Sequence, residues 1–313
     1  MKETFDFYNS TSIKSYNLDE KIRYQLKMLD GLDAFTRRHS DNVANITCRL
    51  CEKLGMTKGF TVYATTCAYL HDLGKIFIPP SVLQKPGKLT DEEYAIMKTH
   101  TTIGYKMCMN DLKLRPYAAG AYYHHEALNG MGYPNGLTAD KIPYEAQIIR
   151  VADEFEAITA KRQYKSHIGI IDALNILIEN AQPAKGDNIP ECAKKYAKMG
   201  IGKIDKKILK TLFKVVIDDT EYEISARIDY INFLEKEIKR VKSAQKYYDK
   251  MINAKSEYKR EYFKEEIKCY LKTNEDPEKL PQMISEYETA YTARKEHINK
   301  LCDEVKQIKK LRV

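Results

Sequence analysis

The chain of 313 residues contains seven histidines, and five of them fall between positions 39 and 125. His71-Asp72 is a dipeptide, His124-His125 an adjacent pair, and His39, His100 and Asp153 stand alone. One histidine on an apolar helix face is usually a satisfied core residue. Five together, interleaved with aspartates, point elsewhere, because imidazole and carboxylate are ligands of choice for Fe, Mn and Zn. A carboxylate has two oxygens, so Asp72 could bridge two ions. Two ions held roughly 3.5–4 Å apart can activate water and clamp a phosphate. Lys75, one turn after Asp72, adds an ammonium that could neutralise phosphate charge. This is the chemistry of phosphodiester hydrolysis.

The elements that must position these groups read as helices. Asn17 with Glu20 forms a capping-box pattern opening a helix towards Leu29. His39, Val43, Ile46 and Leu50 recur at helical spacing in a segment from about Thr36 to Leu54, stopped by Gly55. A third helix is expected from Gly59 to Leu73, with Phe60, Ala64, Cys67 and His71 on one face. Thr90 with Glu93 opens another, to about Met109, and Pro116 starts one that ends near Glu126. The glycine-rich loop NGMGYPNGL follows, then helices from about Tyr144 to Lys161 and Ile168 to Asn180. Asp153 shares the buried-looking face of the first of these with Ile149 and Ala152. Gln182–Pro190 reads as a loop. No alternating strand stands out in residues 1–217.

Composition limits the alternatives. Lys and Arg number 52 against 44 Asp and Glu, for a net charge of +8. Residues 1–217 hold +7 of it, which agrees with an anionic ligand. Residues 218–313 are highly charged yet balanced at +1, which suits a solvated helix rather than an arm for a nucleic-acid polymer. No apolar run approaches the roughly 18 residues that a membrane span needs. No charged-then-apolar leader opens the chain, and the seven scattered cysteines fit reduced thiols, so a cytoplasmic location is expected. Cys48 and Cys51 lack the second pair that a zinc site would need, so core packing is the better reading. The 23 tyrosines, with no Trp, do not by themselves make a base-stacking surface.

The tail has its own pattern. Ile224, Ile231, Leu234, Ile238, Val241, Tyr248 and Ile252 occupy a and d positions of a heptad, as do Ile284, Tyr287, Tyr291, Ile298, Leu301, Val305 and Ile308. Arg294 and Gln245 interrupt the seam, and the two prolines in Asn274–Pro281 must break the helix. A first segment from Glu221 to Thr273 would be roughly 80 Å long. Two segments with a short break fit an antiparallel hairpin, an intermolecular coiled coil that makes a homodimer, or both.

The order His39, His71-Asp72, His100, His124-His125, Asp153 resembles the HD superfamily of metal-dependent phosphohydrolases. HDLGKIFIP at 71–79, LQKPGKLTDEE at 83–93, HHEALNGMGYPNGL at 124–137 and IPYEAQIIRVADEFEAITAKRQYK at 142–165 are similar to its HD-GYP subfamily. The resemblance covers about residues 30–217. It implies an all-α, HD-type helical bundle over 31–217; the capping box and the heptads add a helical lead-in at 1–30 and a helical hairpin or coiled-coil arm at 218–313. The activity it implies is hydrolysis of cyclic di-GMP to pGpG, with a second cleavage to GMP left open, and with two divalent transition-metal ions, Fe or Mn before Zn. It assigns His39, His71, Asp72 and Asp153 to one metal, with Asp72 bridging. His100, His124 and His125 complete the second. Lys75 would contact the scissile phosphate, Arg162 and Lys165 match phosphate-contacting positions, and Gly132, Tyr133 and Pro134 match the loop that gives the subfamily its name.

The chain departs from the family pattern at several points. Phe35 stands where some members place a glutamate for a third metal, so two metals are expected. Ala127, Asn129, Glu156 and Pro80 also differ from common family residues, without removing a ligand. Two other readings remain open: a phosphohydrolase of another cyclic dinucleotide, such as cyclic GMP-AMP, or of a nucleotide; and a nucleotide-binding or interaction protein using the helical arm.

Overall fold

A computed structural model describes residues 34–160, 168–186, 189–272 and 276–313. Every regular element among them is helical, and the single extended pairing is an isolated antiparallel bridge between Asn129 and Thr138. The lead-in expected at 1–30 lies outside the described residues. None of the described helices is long and apolar enough to cross a membrane. The chain divides into two compact units, residues 1–216 with 311–313 and residues 217–310.

In the first unit, α1 (Ala34–Lys53) ends on Gly55 at φ +74°, with Gly55 N–H bonded to Glu52 O and Met56 N–H to Cys51 O. These two bonds close the helix with a left-handed glycine, as its position in the sequence predicts. Next comes α2 (Lys58–Leu70), started by the Thr57 hydroxyl accepting from Phe60 N–H. It is followed by a 3-10 turn (Leu73–Phe77), α3 (Pro80–Leu83), α4 (Asp91–Lys98) and α5 (His100–Asn110). A short 3-10 turn (Arg115–Tyr117) leads into α6 (Ala118–Tyr123), then α7 (Tyr144–Thr159), α8 (Ile170–Ala181) and α9 (Glu191–Lys198). α1 packs on α2 and α7, α2 on α6, and α5 on both α6 and the first 3-10 turn. Their shared core includes Val43, Leu50, Ala64, Leu70, Leu73, Ile148, Ile149 and Ala152, all fully buried.

Several helix ends differ from the expectation, and side-chain competition for backbone carbonyls explains the main ones. The predicted Gly59–Leu73 helix stops at Leu70 because His71 Nδ1 takes the Ala68 carbonyl at 2.6 Å. The predicted Thr90–Met109 helix keeps its Thr90/Glu93 capping box but splits at Thr99. There Thr99 Oγ1 bonds Ile96 O, His100 Nδ1 bonds Met97 O and Thr101 Oγ1 bonds Lys98 O. The helix begun near Pro116 ends at Tyr123, not Glu126, and His124 Nδ1 bonds Gly120 O. Helix α9 follows the 182–190 loop where no helix was expected.

One close approach matters for the site. Gly74, in the 3-10 turn after His71-Asp72, lies against the start of α5. A Cβ there would stand 1.9 Å from the His100 carbonyl oxygen and 2.6 Å from Gly104 N.

The second unit begins within α10 (Lys206–Ser243), 38 residues and roughly 57 Å long. The single rod expected from Glu221 to Thr273 does not form. The helix breaks at Ala244, giving α11 (Gln245–Ile252), and again before Ser256, whose hydroxyl caps α12 (Glu257–Leu271). A 3-10 turn (Pro277–Lys279) then opens α13 (Leu280–Lys310). Val241, Ala244, Met251, Ile267, Leu271 and Leu280 form a small buried core where these pieces meet. α10 and α13 run antiparallel: Lys242 pairs with Glu288 at 2.5 Å, Glu235 with Tyr291 at 2.8 Å and Glu221 with Lys309 at 2.8 Å. The hairpin alternative is therefore realised within the chain. Arg294, an irregularity in the heptad, places its guanidinium 4.7 Å from the Tyr230 ring centre.

Two outcomes follow from this packing. Gly74→Ala should lower stability by about 1–3 kcal/mol through overpacking, read as a drop in thermal midpoint. Burial pushes the thiols of Cys51 and Cys108 up to about 12 and raises that of Cys67 as well, whereas Cys269 is exposed. At pH 8 a disulfide reagent should label Cys269 in the folded protein and reach Cys51, Cys67 and Cys108 only after denaturant is added.

Candidate metal centre

Five pieces of chain converge in the first unit. α1 supplies His39, the turn after α2 supplies His71 and Asp72, and the first residue of α5 is His100. The segment after α6 supplies His124 and His125, and α7 supplies Asp153. All are buried except His125, whose side chain is 26% exposed. Taking so many ionisable groups out of water is costly unless opposite charge compensates them.

The imidazoles are oriented before anything binds. Nδ1 of His71, His100 and His124 each bonds a carbonyl of its own preceding turn, at 2.6, 2.7 and 2.9 Å. Each Nδ1 is therefore the donor, and each Nε2 is left with its lone pair facing inward. His39 Nδ1 instead bonds the Glu156 carboxylate.

The Nε2 atoms then meet in pairs. His39 and His71 approach to 3.3 Å, and His100 and His124 to 3.2 Å. Asp72 lies between the pairs: Oδ2 is 3.3 Å from His71 Nε2 and 3.5 Å from His39 Nε2, while Oδ1 is 3.5 Å from His100 Nε2. Asp153 Oδ1 is 3.1 Å from His39 Nε2, and its Oδ2 is 3.9 Å from His125 Nδ1. Three overlapping groups bring their donor atoms within 4.8 Å of one another: His39/His71/Asp153, His71/Asp72/His124 and His100/His124/His125.

The electrostatics show what the set lacks. Burial lowers His100 to about 4 and holds His124 and His125 well below the usual histidine range, so these rings are neutral at pH 7. Two neutral Nε2 lone pairs 3.2 Å apart cannot hydrogen-bond each other. Burial also acts against His39, but bonds to Asp153 and Glu156 together with the charges of Asp153 and Asp72 raise it to about 9. Burial opposes ionisation of Asp72 too, yet His71 and Lys75 hold its carboxyl well below the usual carboxylate range. Asp72 Oδ1 is buried and accepts no hydrogen bond. The neutral rings of His100, His124 and His125, with the ionised and under-bonded Asp72 beside them, form a donor set that fits divalent cations.

Lys75 Nζ sits 2.5 Å from Asp72 Oδ2, with its side chain 20% exposed. The Gly132-Tyr133-Pro134 loop covers the His124-His125 corner. Tyr133 N–H donates to His125 O at 3.1 Å, and its ring stacks on His125 at 4.7 Å between centres. Gly132 allows this approach, since a Cβ there would meet Ala127 N at 2.2 Å. The sequence-predicted metal donors, Lys75 and the loop are thus brought together. Arg162 and Lys165 lie outside the described residues. Cys48 and Cys51 are buried in α1, and no donor cluster among the described residues includes them.

Three buried or half-buried supports had no signal in the spacing. Glu126 accepts from Asn135 N–H and Leu137 N–H at 2.7 and 2.8 Å and so closes the loop. Arg150 donates to the carbonyls of His125 and Glu126 and pairs with Glu154. Glu156 holds His39. The sequence marks Glu156 as a departure from a pattern, not as a support, and its partner is 117 residues away.

The chain is 43% identical over 136 residues to a cyclic di-GMP phosphodiesterase of Thermotoga maritima, covering 43% of this chain and 37% of that protein. It is 43% identical over 148 residues to the cyclic di-GMP phosphodiesterase response regulator RpfG of Xanthomonas campestris, covering 47% of this chain and 39% of that one. A 3′3′-cGAMP-specific phosphodiesterase of Vibrio cholerae is 33% identical over 166 residues, 53% of this chain and 35% of the relative. The chain therefore spans well under half the length of these relatives. The family model for the HD domain matches residues 23–188, more than half of the sequence and the whole of the metal centre, and the chain belongs to the HD domain family.

Proposed function

We propose that this protein is a metal-dependent phosphodiesterase that opens a cyclic dinucleotide, with cyclic di-GMP as the first substrate to test and pGpG as its first product. The observation that carries the reading is the juxtaposition at Asp72: an ionised, under-bonded carboxylate between two groups of inward-facing imidazoles. Two divalent ions, Fe or Mn before Zn, would supply the activation of water and the neutralisation of phosphate charge. His39, His71 and Asp153 would hold one ion, and His100, His124 and His125 the other, with Asp72 serving both.

The chain's own groups do the rest. Lys75 is anchored on Asp72 with part of its side chain open to solvent, placing an ammonium where negative charge grows on the phosphoryl oxygens. Tyr133, packed on His125, restricts water on that side of the site. The relatives named for cyclic di-GMP support that substrate, and those named for 3′3′-cGAMP make the hybrid dinucleotide the second reading. Ala127 and Asn129 are both buried, and Asn129 Oδ1 accepts from Met131 N–H, so they act on loop shape rather than as exposed substrate contacts.

Protein loaded with Mn²⁺ or Fe²⁺ under reducing conditions should convert cyclic di-GMP to pGpG, resolved by chromatography beside 3′3′-cGAMP. Asp72→Ala should lose turnover and lower metal content together. Lys75→Ala should keep its metal while kcat falls by about 10²–10³, the loss typical of removing one charge-stabilising donor. Two ions bound per chain with neither dinucleotide cleaved would overturn the proposal.

A further inference from the structure

We infer that Glu156 is a positioning residue that makes the two metal sites unequal, strengthening the His39 site. The inference rests on the metal-centre reading above. His71, His100 and His124 are each oriented by a neutral carbonyl one turn back in their own segment. His39 alone of these four is oriented by a charged group from a different element, Glu156 of α7.

Glu156 is itself well held. It is 6% exposed, and its other oxygen, Oε1, accepts from Asn42 Nδ2 at 2.9 Å. Asn42 stands three residues after His39 on α1, so one carboxylate grips two side chains of the same helix face. A carboxylate fixes the ring as a carbonyl does, and it also pulls on the Nδ1 proton. That raises the electron density Nε2 offers to a cation. Among the described residues, Nδ1 of His100 and Nδ1 of His124 are bonded to backbone carbonyls rather than to a carboxylate.

The test is metal binding, not turnover alone. Glu156→Gln keeps an acceptor of nearly the same shape and removes the charge. Its affinity for one of two Mn²⁺ ions should fall by about 10–100-fold, while the other ion is held as in the wild type. Elemental analysis after dialysis should then give close to one ion per chain instead of two. The exchange-coupled Mn²⁺ pair in the electron paramagnetic spectrum should give way to an isolated Mn²⁺ signal. Glu156→Asp keeps the charge and should restore part of the second ion's affinity.

Folded Glu156→Gln that binds two ions with wild-type affinities overturns the inference, and so does a variant that loses both ions in parallel. Where Glu156→Gln does not fold, Asn42→Ala decides: a several-fold weakening of one ion supports the role, and unchanged affinities for both overturn it. Wild-type protein that binds two ions but cleaves no cyclic dinucleotide would refute the proposed activity alone.

Discussion

The structure depends on a commitment made at four histidines. Each commits its Nδ1 to an acceptor within the protein, and each therefore turns its Nε2 towards the same small volume around Asp72. Hydrogen bonding to Nδ1 fixes both tautomer and ring orientation. The consequence at His100 and His124 is a buried region rich in acceptors and poor in protons. Such a region is unfavourable by itself, because neutral lone pairs 3.2 Å apart gain nothing from each other. The rest of the first unit supplies the burial energy that holds it in place.

The same bonds shape the fold. When His71 takes the Ala68 carbonyl and His124 takes Gly120, those carbonyls serve a side chain at the helix end. α2 and α6 stop there, and the chain turns. His100 acts in the same way at the α4–α5 junction, with Thr99 and Thr101 assisting. Orienting an imidazole and ending a helix are one event at three of the four rings. Glycine then allows the turns to approach: Gly74 brings the Asp72 turn against His100, and Gly132 brings the loop against His125.

This explains what could and could not be read in the sequence. The histidines and aspartates were visible by residue type and order, and Val43, Leu50, Ala64 and Ile149 marked the faces of the helices that carry them. The helix ends were not, because apolar periodicity continues past Leu70 and across Thr99 while the deciding bonds come from polar side chains. The seam of the tail was visible as heptads, but the breaks at Ala244 and Ser256 were not, since neither position carries a proline or glycine. The antiparallel pairing of α10 with α13 was one of two arrangements the heptads allowed. Glu126, Arg150 and Glu156 escaped altogether, because each acts on a partner remote in sequence or on backbone groups.

The supports divide the centre chemically. On the His100/His124 side, carbonyl dipoles orient neutral rings, and the fourth wall is a half-open corner where Tyr133 stacks on His125. On the His39 side, Asp153 and Glu156 crowd one imidazole and raise it to about 9 against the opposing effect of burial. Asp72 reaches both sides with different oxygens, and Lys75 leans on the oxygen nearer His39. The two halves are thus held differently, with a carboxylate behind His39 and backbone carbonyls behind His100 and His124. That asymmetry is set by hydrogen bonds behind the ligands rather than by the ligands themselves.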